Sequence, residues 1–203
     1  MKISPRSPHA SSSAEELSTL VARGQFHEED LQTYFQDSQV RRVFIDHHCA
    51  KDIYRWAEQS LSEEVVPEVG GFLLGRFCEY APHLYDITIE IFIQAREVDF
   101  SSPILLDFGS QVMLEMDQIK DTHPQLVNVG WFHTHPGHTP FLSEQDLSSH
   151  EGFFQKPFQV AIVLDSLTRN FDTGIFSRKS TGQVNNKEDR TTWISWKQLG
   201  KMA

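Results

Sequence analysis

Cysteine is nearly absent from this chain: only Cys49 and Cys78 occur among 203 residues. Two cysteines make no disulfide framework and fit a reducing compartment, so a cytoplasmic location is expected. Long apolar runs are also missing. No stretch approaches eighteen consecutive apolar residues, which excludes a transmembrane helix by the usual length rule. Residues 1–13 are rich in Ser and Pro and have no apolar centre, so they are not read as a secretory signal. Basic charge is scarce, with 18 Lys and Arg against 28 Asp and Glu and a formal net charge of −10. That balance argues against nucleic acid as a partner, because phosphate binding needs clustered cations. No internal repeat is visible. What is present is a globular composition, 39% hydrophobic and 23% charged, and ten histidines, several in tight pairs.

The pattern of elements implies an α/β or α+β fold: a mixed, curved β-sheet flanked by helices, with a small N-terminal helical extension. Ser13 should cap a first helix, and a second helical stretch is expected from about Glu28 to Phe35. Residues 1–38 then read as a disordered start plus this extension, and 39–203 as the main domain. Strands are expected at 40–45, through the apolar run after Gly71, over the β-branched stretch 84–95, and at 126–133, 158–164 and 170–176. Helices are expected at 50–61, 108–119 and from Ser143 to about Glu151. Residues 191–196 are a candidate closing strand.

The chemistry concentrates in Gly130-Trp131-Phe132-His133-Thr134-His135-Pro136 and the segment that follows. Alternate residues of a strand share a face, about 7 Å apart, so His133 and His135 can converge on one ion. Asp146 opens the next helix across a Pro/Gly turn and can complete a three-ligand site. Two His, one Asp and an open fourth position describe a catalytic rather than a structural zinc centre. Each half has a plainer explanation. Ser143-Glu144-Gln145-Asp146 is also a capping box, and His-x-His is often only a polar strand end. Neither explanation accounts for the joint spacing, which chance would give in roughly 0.3% of chains of this length.

The pattern H-x-H-x7-S-x2-D resembles the JAMM motif of the MPN (JAB1/Mov34) metalloprotease family. Gly-Trp-Phe-His-Thr-His-Pro is similar to the family's surrounding sequence, and Glu68-Val69-Gly70-Gly71-Phe72-Leu73-Leu74-Gly75 resembles its upstream signature. The resemblance covers about residues 40–176. It implies His133, His135 and Asp146 as ligands of one Zn2+, Glu68 as general base and Ser143 as donor to the oxyanion. Glu64 competes as base by composition, but its spacing to Gly71 does not fit. The resemblance further implies hydrolysis after the C-terminal glycine of ubiquitin or a ubiquitin-like protein, as an isopeptidase or peptidase of the kind found in compact prokaryotic members. There the setting is a ubiquitin-like conjugation or antiphage operon, or the processing of sulfur-carrier proteins. A non-catalytic MPN scaffold and a small-molecule metallohydrolase are the competing readings.

Four further residues stand out. His138 touches substrate or is a solvated loop histidine. His150, four residues after Asp146, either supports the site from behind or lies at the surface. Trp131 reads as core, and Asp165 as a turn residue rather than a ligand. Asp46-His47-His48-Cys49 spells the D-H-H-C signature of protein S-acyltransferases. The membrane spans and cysteine-rich region of those enzymes are missing, so the match is read as incidental.

Overall fold

The computed structural model describes residues 12–33, 36–95 and 110–186. Helix α1 (Ala14–Arg23) starts at Ser13, whose side chain accepts from the Glu16 N–H while the Glu16 carboxylate accepts from the Ser13 N–H. This reciprocal capping box satisfies two otherwise orphaned donors. The helix buries Leu17 against Phe44 and Cys78.

The expected second helix is instead strand β1 (Phe26–Asp30) followed by a 3-10 turn over Leu31–Thr33. An acidic helix of eight residues is marginal by itself. Antiparallel pairing with β2 (Val40–Asp46), from Phe26 opposite Asp46 to Asp30 opposite Arg42, supplies the competing backbone bonds. The N-terminal segment is thereby woven into a sheet.

The nine strands divide between two mixed sheets among the described residues. The first has the order β1-β2-β5-β4, with β4 at Phe77–Ala81 and β5 at Leu84–Ile89, and β2 and β5 run parallel. The second has the order β6-β3-β7-β8-β9. Its strands are β3 (Gly70–Gly75), β6 (Ile91–Ala95), β7 (Val127–Thr134), β8 (Val160–Leu164) and β9 (Thr173–Phe176). Only β7 and β8 run parallel there. The single strand expected over residues 84–95 therefore breaks at Glu90, where the chain changes sheets. Glu90 donates its N–H to the Leu74 carbonyl at 2.8 Å and pairs its carboxylate with Arg76 and Thr88.

Helix α2 (His47–Ser60) buries Cys49, Ala50, Ile53 and Ala57 in a core that joins both sheets through Ile45, Ile87, Leu73 and Phe132. On the other face of the second sheet lie α3 (Ser110–Thr122) and α4 (Glu144–Phe153). Val112, Met116 and Phe154 pack there on Phe72, Trp131 and Val163. Covered on both faces, β3 and β8 are buried along their whole length, as their uninterrupted apolar sequences require. The candidate strand at residues 191–196 lies outside the described residues. No described helix is long and apolar enough to cross a membrane.

Candidate metal centre

Strand β7 delivers the two histidines. Trp131 and His133 alternate onto the α3/α4 face of the sheet, and His135 follows just past the strand end. Gly70 on β3 stands opposite His133. A Cβ on Gly70 would lie 2.4 Å from the Phe132 carbonyl oxygen and 3.2 Å from the His133 Cβ, so glycine is what lets β3 approach the histidine-bearing strand. On the other side, β8 runs parallel with His133 opposite Val163, and His135 donates its N–H to the Leu164 carbonyl at 2.8 Å. Both histidines thus sit at the carboxyl end of β7, beside the carboxyl end of the parallel strand β8.

The loop after His135 is pinned by Asp165. One oxygen of this buried carboxylate accepts from the Gly137 N–H at 2.9 Å and from the Leu167 N–H at 3.0 Å. Gly137 has φ of +78°, a conformation that favours glycine. Asp165 is a turn residue, as expected, and it also ties the histidine loop to the β8–β9 turn.

Helix α4 supplies the third group. Ser143 caps it and Asp146 is its third residue. The Asp146 N–H donates to Ser143 Oγ at 3.1 Å, and the Ser143 N–H donates to Asp146 Oδ2 at 2.8 Å. The same carboxylate reaches the histidines, with Oδ1 3.4 Å from His133 Nε2 and Oδ2 3.5 Å from His135 Nε2. The two Nε2 atoms are 2.9 Å apart. The capping box and the candidate ligand set therefore share one carboxylate.

A tetrahedral zinc with bonds of about 2.0–2.1 Å has ligand atoms separated by about 3.3 Å. The Nε2–Nε2 separation and the two carboxylate contacts, one through each oxygen, lie near that value. His133, His135 and Asp146 are all buried, and among the described residues they form one group whose ligand atoms lie within 4.8 Å of one another. Burial would raise the Asp146 carboxyl, but its bonds to His133, His135 and Ser143 overcome this and hold it well below the usual carboxylate range. The anionic donor a cation needs is thus in place. His133, His135 and Asp146 could together hold one metal ion.

Glu68 is half-buried and lies just before β3. Its neighbour Val69 accepts from the Thr134 N–H at 2.8 Å and donates to Thr134 Oγ1 at 2.9 Å. Continuing the register of Gly70 opposite His133 by two residues brings Glu68 opposite His135. Glu64 is exposed, and so is His138, whose N–H donates to the His135 carbonyl at 3.2 Å.

His150 corrects the surface reading, because it is fully buried. Its Nδ1 accepts from the Trp131 indole N–H at 3.0 Å, and Trp131 stacks on His133 with centroids 4.5 Å apart and 7° between planes. Sequence reasoning missed this link, and also Arg178. The Arg178 guanidinium donates to the Phe154 carbonyl at 2.9 Å and so caps the end of α4. The D-H-H-C segment proves structural. Asp46 caps α2 by accepting from the N–H groups of His48 and Cys49, and burial pushes the Cys49 thiol well up, the reverse of an activated nucleophile.

The model of the family described as JAB1/Mov34/MPN/PAD-1 ubiquitin protease matches residues 38–156. The chain is 38% identical over 71 residues to AMSH-like protease of Homo sapiens, covering 34% of this chain and 16% of that protein. It is 31% identical over 131 residues to ubiquitin carboxyl-terminal hydrolase RPN11 of Saccharomyces cerevisiae, covering 62% of this chain and 41% of that one. The chain thus spans less than half the length of these curated relatives. The solution structure of protein DSY2949 from Desulfitobacterium hafniense superposes with a TM-score of 0.52 at 17% identity, over 79% of this chain and 97% of that one, a likeness of fold. The family match covers more than half of the sequence and includes Glu68, His133, His135, Ser143 and Asp146, so the chain belongs to the JAB1/Mov34/MPN family.

Proposed function

We propose that this protein is a zinc-dependent isopeptidase or peptidase that cleaves after the C-terminal glycine of ubiquitin or a ubiquitin-like protein. The observation that carries the reading is the convergence of His133, His135 and Asp146 at a strand end, with Ser143 bonded to Asp146. His133 and His135 would hold the metal through Nε2 and Asp146 through its carboxylate. When bound at such a centre, zinc supplies Lewis acidity that brings water to a reactive state near neutral pH.

The chain's own residues supply the rest. Glu68, half-buried beside the end of β7, is the proton carrier. It takes a proton from the attacking water and returns one to the departing amine, work worth roughly 10²- to 10⁴-fold. Ser143 Oγ already accepts from the Asp146 N–H, which leaves its hydroxyl proton to donate to the amide oxygen as that oxygen gains charge. Relatives named a protease and a ubiquitin carboxyl-terminal hydrolase support a ubiquitin-like substrate. The free, buried Cys49 and Cys78 fit a reducing compartment, and we place the activity in the cytoplasm.

The test pairs metal analysis with a panel of ubiquitin and ubiquitin-like proteins carrying C-terminal extensions or lysine-linked conjugates. Wild type should carry one zinc and release products ending in glycine. Glu68→Gln should keep the zinc and lose turnover. A zinc-loaded wild type that leaves the whole panel intact refutes the proposed substrate class. A protein that binds no zinc refutes the centre itself.

A further inference from the structure

His133 lacks the support a metal-binding histidine normally has. Such a residue usually bonds its second ring nitrogen to a carboxylate or carbonyl, which fixes the ring plane. Here His133 Nδ1 is buried, and no described protein group is hydrogen-bonded to it. What fixes the ring instead is the indole of Trp131, nearly parallel to it at 4.5 Å. Trp131 also stacks on Phe154, with centroids 5.7 Å apart and 13° between planes.

Stacking sets the tilt of a ring but resists sliding and in-plane rotation only weakly. The bond from Trp131 Nε1 to His150 Nδ1, at 3.0 Å, supplies that missing restraint. His150 is itself held. It lies on α4 one turn after Asp146 and is fully buried, and its ring stacks on Phe154 with centroids 5.6 Å apart and 23° between planes, while its Nε2 has no hydrogen-bond partner among the described residues. For Nδ1 to accept, the ring must be neutral with its proton on Nε2. Burial, and then the nearby Arg178 guanidinium, favour the neutral ring by pushing His150 down to about 3.

We propose that His150 is a positioning residue for the metal centre. It locks Trp131, and Trp131 aims the imidazole of His133. One helix then serves the metal twice: Asp146 binds it, and His150 orients a second ligand from behind. The inference rests on His133 being a metal ligand, as in the function proposed above.

The test measures zinc affinity of the full chain by competition with a chromophoric chelator, alongside thermal unfolding of the metal-free protein. His150→Leu removes the acceptor and should weaken zinc binding about tenfold or more, the range seen when outer partners of metal ligands are lost. His150→Asn places an amide oxygen near the Nδ1 position and should restore most of the affinity. Trp131→Phe keeps an aromatic plate without the N–H and should reproduce the loss with His150 intact, so the test survives if His150→Leu does not fold. In the Trp131→Phe background, His150→Leu should have no further effect on affinity, because both changes break one link.

The proposal is overturned if His150→Leu binds zinc like wild type, if His150→Asn falls as far as His150→Leu, or if the two single effects add. A wild type that binds no zinc overturns the metal centre and not this link alone. Zinc bound normally with no dependence on residue 150 overturns only the positioning role.

Discussion

Acidification probes the burial of His150. In the fold its imidazole is pushed down to about 3, first by burial and then by Arg178, against an ordinary value of 6.5. Between those values the unfolded chain binds a proton at this residue and the folded chain does not. Stability from this residue is therefore complete above about pH 6.5 and declines as pH falls toward 3. From pH 7 to pH 5 the two-state linkage relation gives a loss of about 2 kcal/mol from this residue alone. That is large beside a typical total of about 5–15 kcal/mol. The perturbation is His150→Asn, which removes the titration while keeping an acceptor for Trp131. The assay is urea denaturation of metal-free wild type and variant at both pH values, so that the pH dependence of metal binding does not enter. Wild type should lose about 2 kcal/mol more than the variant between pH 7 and 5. Equal losses would show that His150 protonates within the fold, and would refute the account of a sealed, neutral ring.

Three other outcomes follow from particular contacts. Asp165→Ala strips the acceptor from the Gly137 and Leu167 N–H groups and should cost about 1–3 kcal/mol, with faster hydrogen exchange at Gly137; an unchanged exchange rate there would contradict the tie. Gly70→Ala forces a Cβ against the Phe132 carbonyl oxygen and should destabilise the fold by about 1–3 kcal/mol in denaturant titrations, whereas a neutral result would mean β3 and β7 yield easily. The thiols of Cys49 and Cys78 are both raised by burial and should react with a thiol reagent only as the protein unfolds, so rapid labelling of the native protein would contradict their placement.

What could be read from the sequence was local. Ser13 with Glu16, and Ser143 with Asp146, are helix starts because three-residue spacing alone joins cap and partner. His133 and His135 share a face because strand geometry alternates. What could not be read depended on partners far along the chain. The segment 26–30 pairs as a strand with β2, and the β-branched run 84–95 breaks where Glu90 donates to the Leu74 carbonyl. His150 was obscured for a different reason. The buried side of α4 is polar, made of Asp146, Ser149 and His150, so no apolar period marks which way the helix faces. Its partner Trp131 is 19 residues away, and the Asp165–Gly137 tie spans 28.

The double use of Asp146 in the proposed metal site has a consequence for how a cation would enter it. Its carboxylate is held by the Ser143 N–H as soon as α4 forms, so its rotamer freedom is given up in folding and not at the moment of binding. A ligand arm that is immobile beforehand loses little entropy when the ion arrives, and less of the binding energy is consumed in gathering it. The same economy removes independence. Any change at residue 143 or 146 alters the start of a helix and the arm of the proposed metal site together, so neither can drift without the other.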